Sequence, residues 1–166
     1  LPEDTPDYIQ TAYQSLHYHA ITTVYLRYAQ AVKLPAPLTG FADGMAQWVL
    51  HRGVLGLPDN EVAVVISVSD YVEAWKDKDL AEKIHADIKR ICPDLDKPEA
   101  VRIITEKRAT TEATVDFVQP GFSWLHHRRI YPAGDYLHPR YPATLEAAVQ
   151  SGFAAAEKLM LDLRFE

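Results

Sequence analysis

The stretch EVAVVISVSDYVEAWKDKDLAEKIHADIKRIC, residues 61–92, places a strand directly before a helix. The apolar run within 61–69 does not alternate, which favours a strand buried on both faces. Ser69 or Asp70 is suited to cap the helix that follows, and Pro93 ends it. One face of that helix is apolar and the opposite face is charged, which is typical of a helix packed on a core. The predicted core stripe is Val72, Trp75, Leu80, Ile84, Ile88 and Ile91.

Further strands are predicted on both sides of this unit. Residues 20–28 are rich in β-branched and aromatic side chains, which favours a strand, and residues 45–52 and 100–108 are also predicted to be strands. Residues 33–38 contain two prolines that cannot donate to a ladder, so this segment is predicted to be a connector. Helical spacing of apolar residues between 9 and 16 predicts a short helix. Short connections between consecutive strands favour antiparallel pairing and an α+β fold.

A second informative stretch, YPAGDYLHPRYPATLEAAVQSG, covers residues 131–152. It predicts a short strand over 130–135, a glycine–acid turn, a loop, and a helix from Pro142 to Leu163. Proline suits a first helical turn, and the first N–H groups of a helix are free to donate to an electron-rich partner. A helix that merely packs tightly on a sheet is the alternative. The predicted fold is therefore a mixed, mainly antiparallel sheet with one long helix packed on it, plus a C-terminal βα unit.

This stretch resembles the C-terminal flavin motif of FAD-dependent amine oxidases and phytoene desaturases. The resemblance rests on Ala-Gly-Asp at 133–135, a short loop, and Tyr-Pro-Ala-Thr-Leu-Glu-Ala-Ala-Val-Gln-Ser-Gly at 141–152. It implies that Asp135, which follows Gly134, binds the ribityl or pyrophosphate part of FAD. It also implies that the backbone N–H groups of Thr144, Leu145 and Glu146 face the pyrimidine edge of the isoalloxazine.

Upstream segments resemble the squalene-associated branch of the same superfamily, the hydroxysqualene dehydroxylases. The segments are 21–26, 47–49, 63–67 and 106–110. The resemblance implies an FAD-dependent oxidoreductase that acts on an apolar squalene- or phytoene-like isoprenoid by flavin-mediated hydride transfer. No side chain is assigned as catalytic.

A substrate without charge must be held by burial of apolar surface. Tyr25, Trp48 and Val49 are predicted to line its site, and plain core packing explains each of the three equally well.

The first flavin motif of that superfamily, Gly-x-Gly-x-x-Gly, does not occur, because no three of the seven glycines have this spacing. We therefore expect a C-terminal fragment, in which 1–128 is part of the substrate domain and 129–166 is the strand–helix of the FAD-binding domain. FAD is expected in the full-length protein, and little or none in the fragment. The alternatives are a stand-alone binding module for an apolar ligand or partner protein without flavin, and an amine oxidase-type flavoenzyme.

Composition excludes several other classes. The net charge of −6 argues against nucleic-acid binding. No apolar run approaches the length of a membrane span, although an apolar substrate leaves room for a peripheral membrane contact. The single cysteine, Cys92, favours a reducing cytoplasmic setting. His126 and His127 are adjacent and cannot face one another, so no metal site is predicted.

Overall fold

The computed structural model describes residues 1–115, 119 and 121–164. Residues 1–18 and 110–166 form one compact unit, and residues 19–109 form another. The predicted division into a substrate-domain part, 1–128, and an FAD-domain part, 129–166, stays a prediction. The helices and strands are α1 (Asp7–Gln14), β1 (Tyr18–Arg27), β2 (Leu38–Gly40), β3 (Trp48–His51), β4 (Glu61–Ser67), α2 (Asp77–Lys89), β5 (Ala100–Thr111), α3 (Ser123–His126) and α4 (Leu145–Arg164).

The five strands form one sheet in the order β2-β3-β4-β1-β5. β2 pairs with β3, β3 with β4, and β4 with β1, all antiparallel. β5 runs antiparallel to β1, since the Glu99 N–H donates to the Arg27 carbonyl and the Glu112 N–H donates to the His17 carbonyl. The α+β class and the antiparallel sheet are confirmed.

The register divides the sheet into two different faces. Val24, Val49 and Val64 lie in register on one face, each completely buried, and they share a core cluster with the apolar residues of α2. Side chains alternate along a strand, so their neighbours point the other way. We call that second side the open face. Its larger apolar members, each at least partly exposed, are Ile21, Tyr25, Trp48, Leu50, Val65 and Ile104, whereas the small Ala63 of the same face is buried.

The long helix predicted over 70–92 is interrupted. Residues Asp70–Ala74 form a 3₁₀ turn, Trp75 is extended with φ −93° and ψ 139°, and α2 begins only at Asp77. The two predicted capping side chains bind β1 instead. Ser69 Oγ lies 2.8 Å from Thr22 Oγ1, and Asp70 accepts the Ala20 N–H. In the predicted stripe Val72, Leu80, Ile84 and Ile88 are buried, whereas Trp75 and Ile91 are more than a third exposed.

The predicted connector at 33–38 carries its prolines at 35 and 37 and forms no strand before Leu38, where the edge strand β2 begins. The predicted strand over 130–135 is absent: no described strand pairs with it, and the Gly134 N–H donates to Ser151 Oγ of α4. α4 begins at Leu145 rather than Pro142 because Ala143 takes a left-handed conformation, φ 63°, which a helix does not admit.

Candidate functional site

The glycine–acid turn is built around a close approach that only glycine allows. A Cβ placed on Gly134 would lie 2.5 Å from the ring of Tyr136. The same glycine donates its N–H to Ser151 Oγ at 2.9 Å, which ties the turn to α4. Tyr136 in turn meets the ring of Tyr13 edge to face, with centroids 6.3 Å apart. Burial raises the pKa of Tyr136 well above its usual value, so this phenol is neutral at physiological pH.

The Asp135 carboxylate stands at the end of this turn. The side chain is partly exposed and makes no hydrogen bond or ion pair with any residue the structure describes. Its backbone is engaged, because the Asp135 carbonyl accepts the N–H of Ala143 at 3.3 Å. The backbone bond therefore brings the acid next to the start of α4 and leaves its carboxylate oxygens open to a ligand.

The start of α4 offers unused donors. Thr144 Oγ1 accepts the N–H of Ala147 at 3.1 Å and so caps the helix. The N–H groups of Thr144, Leu145 and Glu146 have no acceptor among residues 1–115, 119 and 121–164. Such groups carry the positive end of the helix dipole. The five residues predicted to bind the cofactor thus lie in one turn and one helix terminus of the same unit.

These groups fit the flavin end of FAD. Carbonyl oxygens of a pyrimidine ring need N–H donors, and ribityl hydroxyls need an acceptor such as a carboxylate. Three free N–H groups and one unpaired carboxylate supply both kinds of partner. Their assignment to a cofactor stays a prediction.

The three predicted substrate-lining residues do not share one surface. Tyr25 and Trp48 lie on the open face, where Trp48 is 48% exposed, whereas Val49 is completely buried on the opposite face. Tyr25 is held by Arg52, whose guanidinium lies 5.1 Å from the ring centroid and also pairs with Glu61. Trp48 lies against Gly40, on which a Cβ would be 2.9 Å from the indole.

A buried carboxylate that sequence reasoning missed positions the segment before Trp48. Asp87 of α2 accepts the N–H groups of Met45 and Ala46 at 2.6 and 2.9 Å and is only 9% exposed. Gln47, the next residue, binds both the N–H and the carbonyl of Ser67. The available signal was an aspartate directly before Ile88 of the core stripe, three residues after Ile84.

Other chemistries find little support in the described part of the chain. No group of three or more potential metal ligands lies together there. The Cys92 thiol donates to the Lys33 carbonyl, and burial raises its pKa, so it is a poor nucleophile. None of the helices in the described ranges has the length and apolarity to cross a bilayer.

Comparison with known proteins gives consistent matches. The profile of the family described as flavin containing amine oxidoreductase matches residues 1–160. A hydroxysqualene dehydroxylase of Zymomonas mobilis is 30% identical over 144 residues, 84% of this chain and 32% of that protein. A hydroxysqualene dehydroxylase of Rhodopseudomonas palustris is 32% identical over 147 residues, 86% of this chain and 33% of that protein. The chain thus spans about a third of the length of the curated relatives it matches.

A solved structure shares the fold. It is the crystal structure described as a protoporphyrinogen oxidase of Exiguobacterium sp. 255-15, with a TM-score of 0.56 and 17% sequence identity, over 87% of this chain and 36% of that one. At this identity the likeness concerns the fold alone. The family match over 1–160 is the stronger finding, and it extends across the glycine–acid turn, the start of α4 and the open face. The chain belongs to the flavin-containing amine oxidoreductase family.

Proposed function

We propose that this chain is part of an FAD-dependent oxidoreductase that acts on an apolar isoprenoid of the hydroxysqualene type. The observation that carries the proposal is the convergence of the Asp135 carboxylate with the free N–H groups of residues 144–146. Family membership and the two hydroxysqualene dehydroxylases, each about 30% identical, support the cofactor and the substrate class.

In this proposal the residues of the turn and of α4 bind and orient the cofactor. Asp135 accepts hydrogen bonds from ribityl hydroxyls, and the N–H groups of Thr144, Leu145 and Glu146 bind the pyrimidine carbonyls. Gly134 matters indirectly, since any side chain there would displace Tyr136 and with it the turn. The chemistry supplied by bound FAD is hydride transfer.

The open face is proposed as a wall of the substrate site. Trp48 and Ile104 are 48% and 45% exposed, and Tyr25 lies between their strands. An apolar chain laid on these side chains gains about 25 cal/mol for each Å² removed from water. Val49 is excluded from this wall because its side chain belongs to the core on the other side of the sheet.

The full-length protein tests the proposal in two steps. It should purify yellow, or become yellow with added FAD. Dehydroxylation replaces a C–O bond by a C–H bond and therefore consumes a hydride, so hydroxysqualene added anaerobically to the reduced enzyme should restore the oxidised flavin spectrum and yield squalene. Squalene itself, as the control, should leave the reduced spectrum unchanged.

Each alternative has its own outcome. An amine oxidase-type enzyme would be reduced by a primary amine and would ignore hydroxysqualene. A binding module without flavin would stay colourless and take up no FAD. Either result would refute the proposed function.

A further inference from the structure

The turn between β3 and β4 presents an unusual apolar surface. Val54, Leu55 and Leu57 are 52%, 64% and 41% exposed at nearly consecutive positions. We call residues 54–57 the apolar tip. Single exposed aliphatic residues are common, but three together on one turn form a surface that water solvates poorly.

The apolar tip has a defined backbone conformation. Gly56 has φ 75°, which only glycine adopts readily, and its N–H donates to the Gly53 carbonyl at 3.0 Å. Gly53 lies close against His51, since a Cβ there would be 2.6 Å from the imidazole. Two glycines therefore fix a tight turn that carries its aliphatic side chains outward.

Cationic side chains line a cavity at the same end of the sheet. Arg27, Arg52 and Arg102 line this cavity, whose volume is about 530 Å³. Arg52 is paired with Glu61, whereas Arg27 and Arg102 form no ion pair within the described ranges. Asp59 adds one exposed acid at the base of the turn. The charged side chains that line the cavity are three arginines and one glutamate. Their net charge is positive, whereas the chain as a whole carries a net charge of −6.

An aliphatic projection beside unpaired arginines matches the requirements of an anionic lipid surface. Binding at a membrane interface combines burial of apolar side chains near the headgroups with attraction of cations to lipid phosphates. Residues 54–57 do not line the cavity, so a small ligand held in the cavity would leave their aliphatic side chains in water. We propose that the apolar tip inserts into the headgroup region of an anionic bilayer, with Arg27 and Arg102 against lipid phosphates.

This inference deepens the proposed function. An apolar isoprenoid dissolves in the bilayer, and the same cavity is lined by Tyr25 and Ile104 of the open face. The membrane contact would therefore lie at the end of the proposed substrate wall. Lipid binding can nevertheless be measured without turnover, so the two proposals can fail separately.

The test is flotation of the full-length protein with vesicles of phosphatidylcholine, with and without phosphatidylglycerol. Leu55→Ser and Leu57→Ser together should weaken binding to both kinds of vesicle by about tenfold or more. Val68→Ser is the matched control, because Val68 is 50% exposed and follows the opposite end of β4. It should bind like the unaltered protein.

The charge component has its own variant. Arg27→Gln with Arg102→Gln should weaken binding about tenfold on phosphatidylglycerol vesicles and little on pure phosphatidylcholine. Arg52 is kept because it holds Tyr25. Flavin content should be unchanged in every variant, and turnover in detergent micelles should be unchanged in the tip variant and in Val68→Ser.

Three outcomes would overturn the inference. The full-length protein fails to float with anionic vesicles; the tip variant floats like the unaltered protein; or Val68→Ser weakens binding as much as the tip variant does. The first two would mean that other protein surface covers the tip. If the unaltered protein binds vesicles but does not turn over hydroxysqualene, the proposed function is contradicted and the membrane contact is not.

Discussion

Replacing Asp135 by alanine should weaken FAD binding while leaving the fold almost unchanged. The carboxylate has no hydrogen-bond or ion-pair partner among the described residues, so its removal costs the folded chain little. We expect the free energy of unfolding to change by about 0.5 kcal/mol or less, as for other surface substitutions. A hydrogen bond from a ribityl hydroxyl to a charged acceptor contributes about 1.5–3 kcal/mol. The Kd for FAD should therefore rise about ten- to a hundredfold.

Thr144→Ala serves as the matched control at the same helix terminus. It removes the hydroxyl that caps the Ala147 N–H at 3.1 Å and should lower the free energy of unfolding by about 1 kcal/mol. The three proposed backbone donors and the carboxylate remain, so its loss of FAD affinity should be smaller than that of Asp135→Ala. Both quantities are measured on the full-length apoprotein, by flavin titration and by urea unfolding.

The opposite pattern would refute the reasoning. If Asp135→Ala lowers the free energy of unfolding by about 1 kcal/mol and leaves the Kd for FAD unchanged, the acid is a turn residue. The resemblance of 131–152 to a flavin motif would then not extend to the role of its acid.

Four further predictions concern the rest of the chain. Asp87→Ala should lower the free energy of unfolding by about 3 kcal/mol in urea denaturation, because two N–H groups lose their acceptor. Trp48→Ala should raise KM for hydroxysqualene with little loss of stability, whereas Val49→Ala should cost about 2 kcal/mol of stability and leave KM unchanged. Burial and two nearby lysines lower the pKa of His85, so the imidazole of the unfolded chain binds its proton at a higher pH than that of the folded chain. The free energy of unfolding should therefore fall as the pH drops below about 6.5. His85→Gln should reduce this fall, as measured by urea titrations at pH 7.5 and pH 5. Residues 1–166 alone should be colourless after gel filtration, and stoichiometric bound flavin would contradict this.

The sequence predicted those elements whose local composition decides their structure. Runs of β-branched and aromatic residues identified β1, β4 and β5 to within a few residues. The break in the 70–92 helix could not be foreseen, because Ser69 and Asp70 are good helix caps whose side chains bind β1 some 50 residues away. A side chain that can cap its own helix can also bind a distant strand, and the local sequence does not show which of the two bonds forms.

The candidate site shows the same distinction. The grouping of Gly134 and Asp135 with residues 144–146 follows from short spacing along the chain, and the structure places them together. Trp48 and Val49 are neighbours in sequence, yet the pleat of β3 sends them to opposite faces. Asp87 was missed because its partners, the N–H groups of residues 45 and 46, lie 41 or more positions earlier.

Helix α4 shows what periodicity can and cannot establish. Apolar residues recur at helical spacing along it, but Leu145, Val149, Phe153 and Met160 are 90%, 52%, 67% and 55% exposed, and Ala147 is the one buried residue among 145–164. Helical spacing of apolar residues identifies a face that is stabilised by burial, but it does not identify the surface that buries it. The described residues of this helix's own unit do not provide that surface. The stripe is therefore evidence for a contact with another protein surface, and on the proposed function that surface is the remainder of the flavin domain.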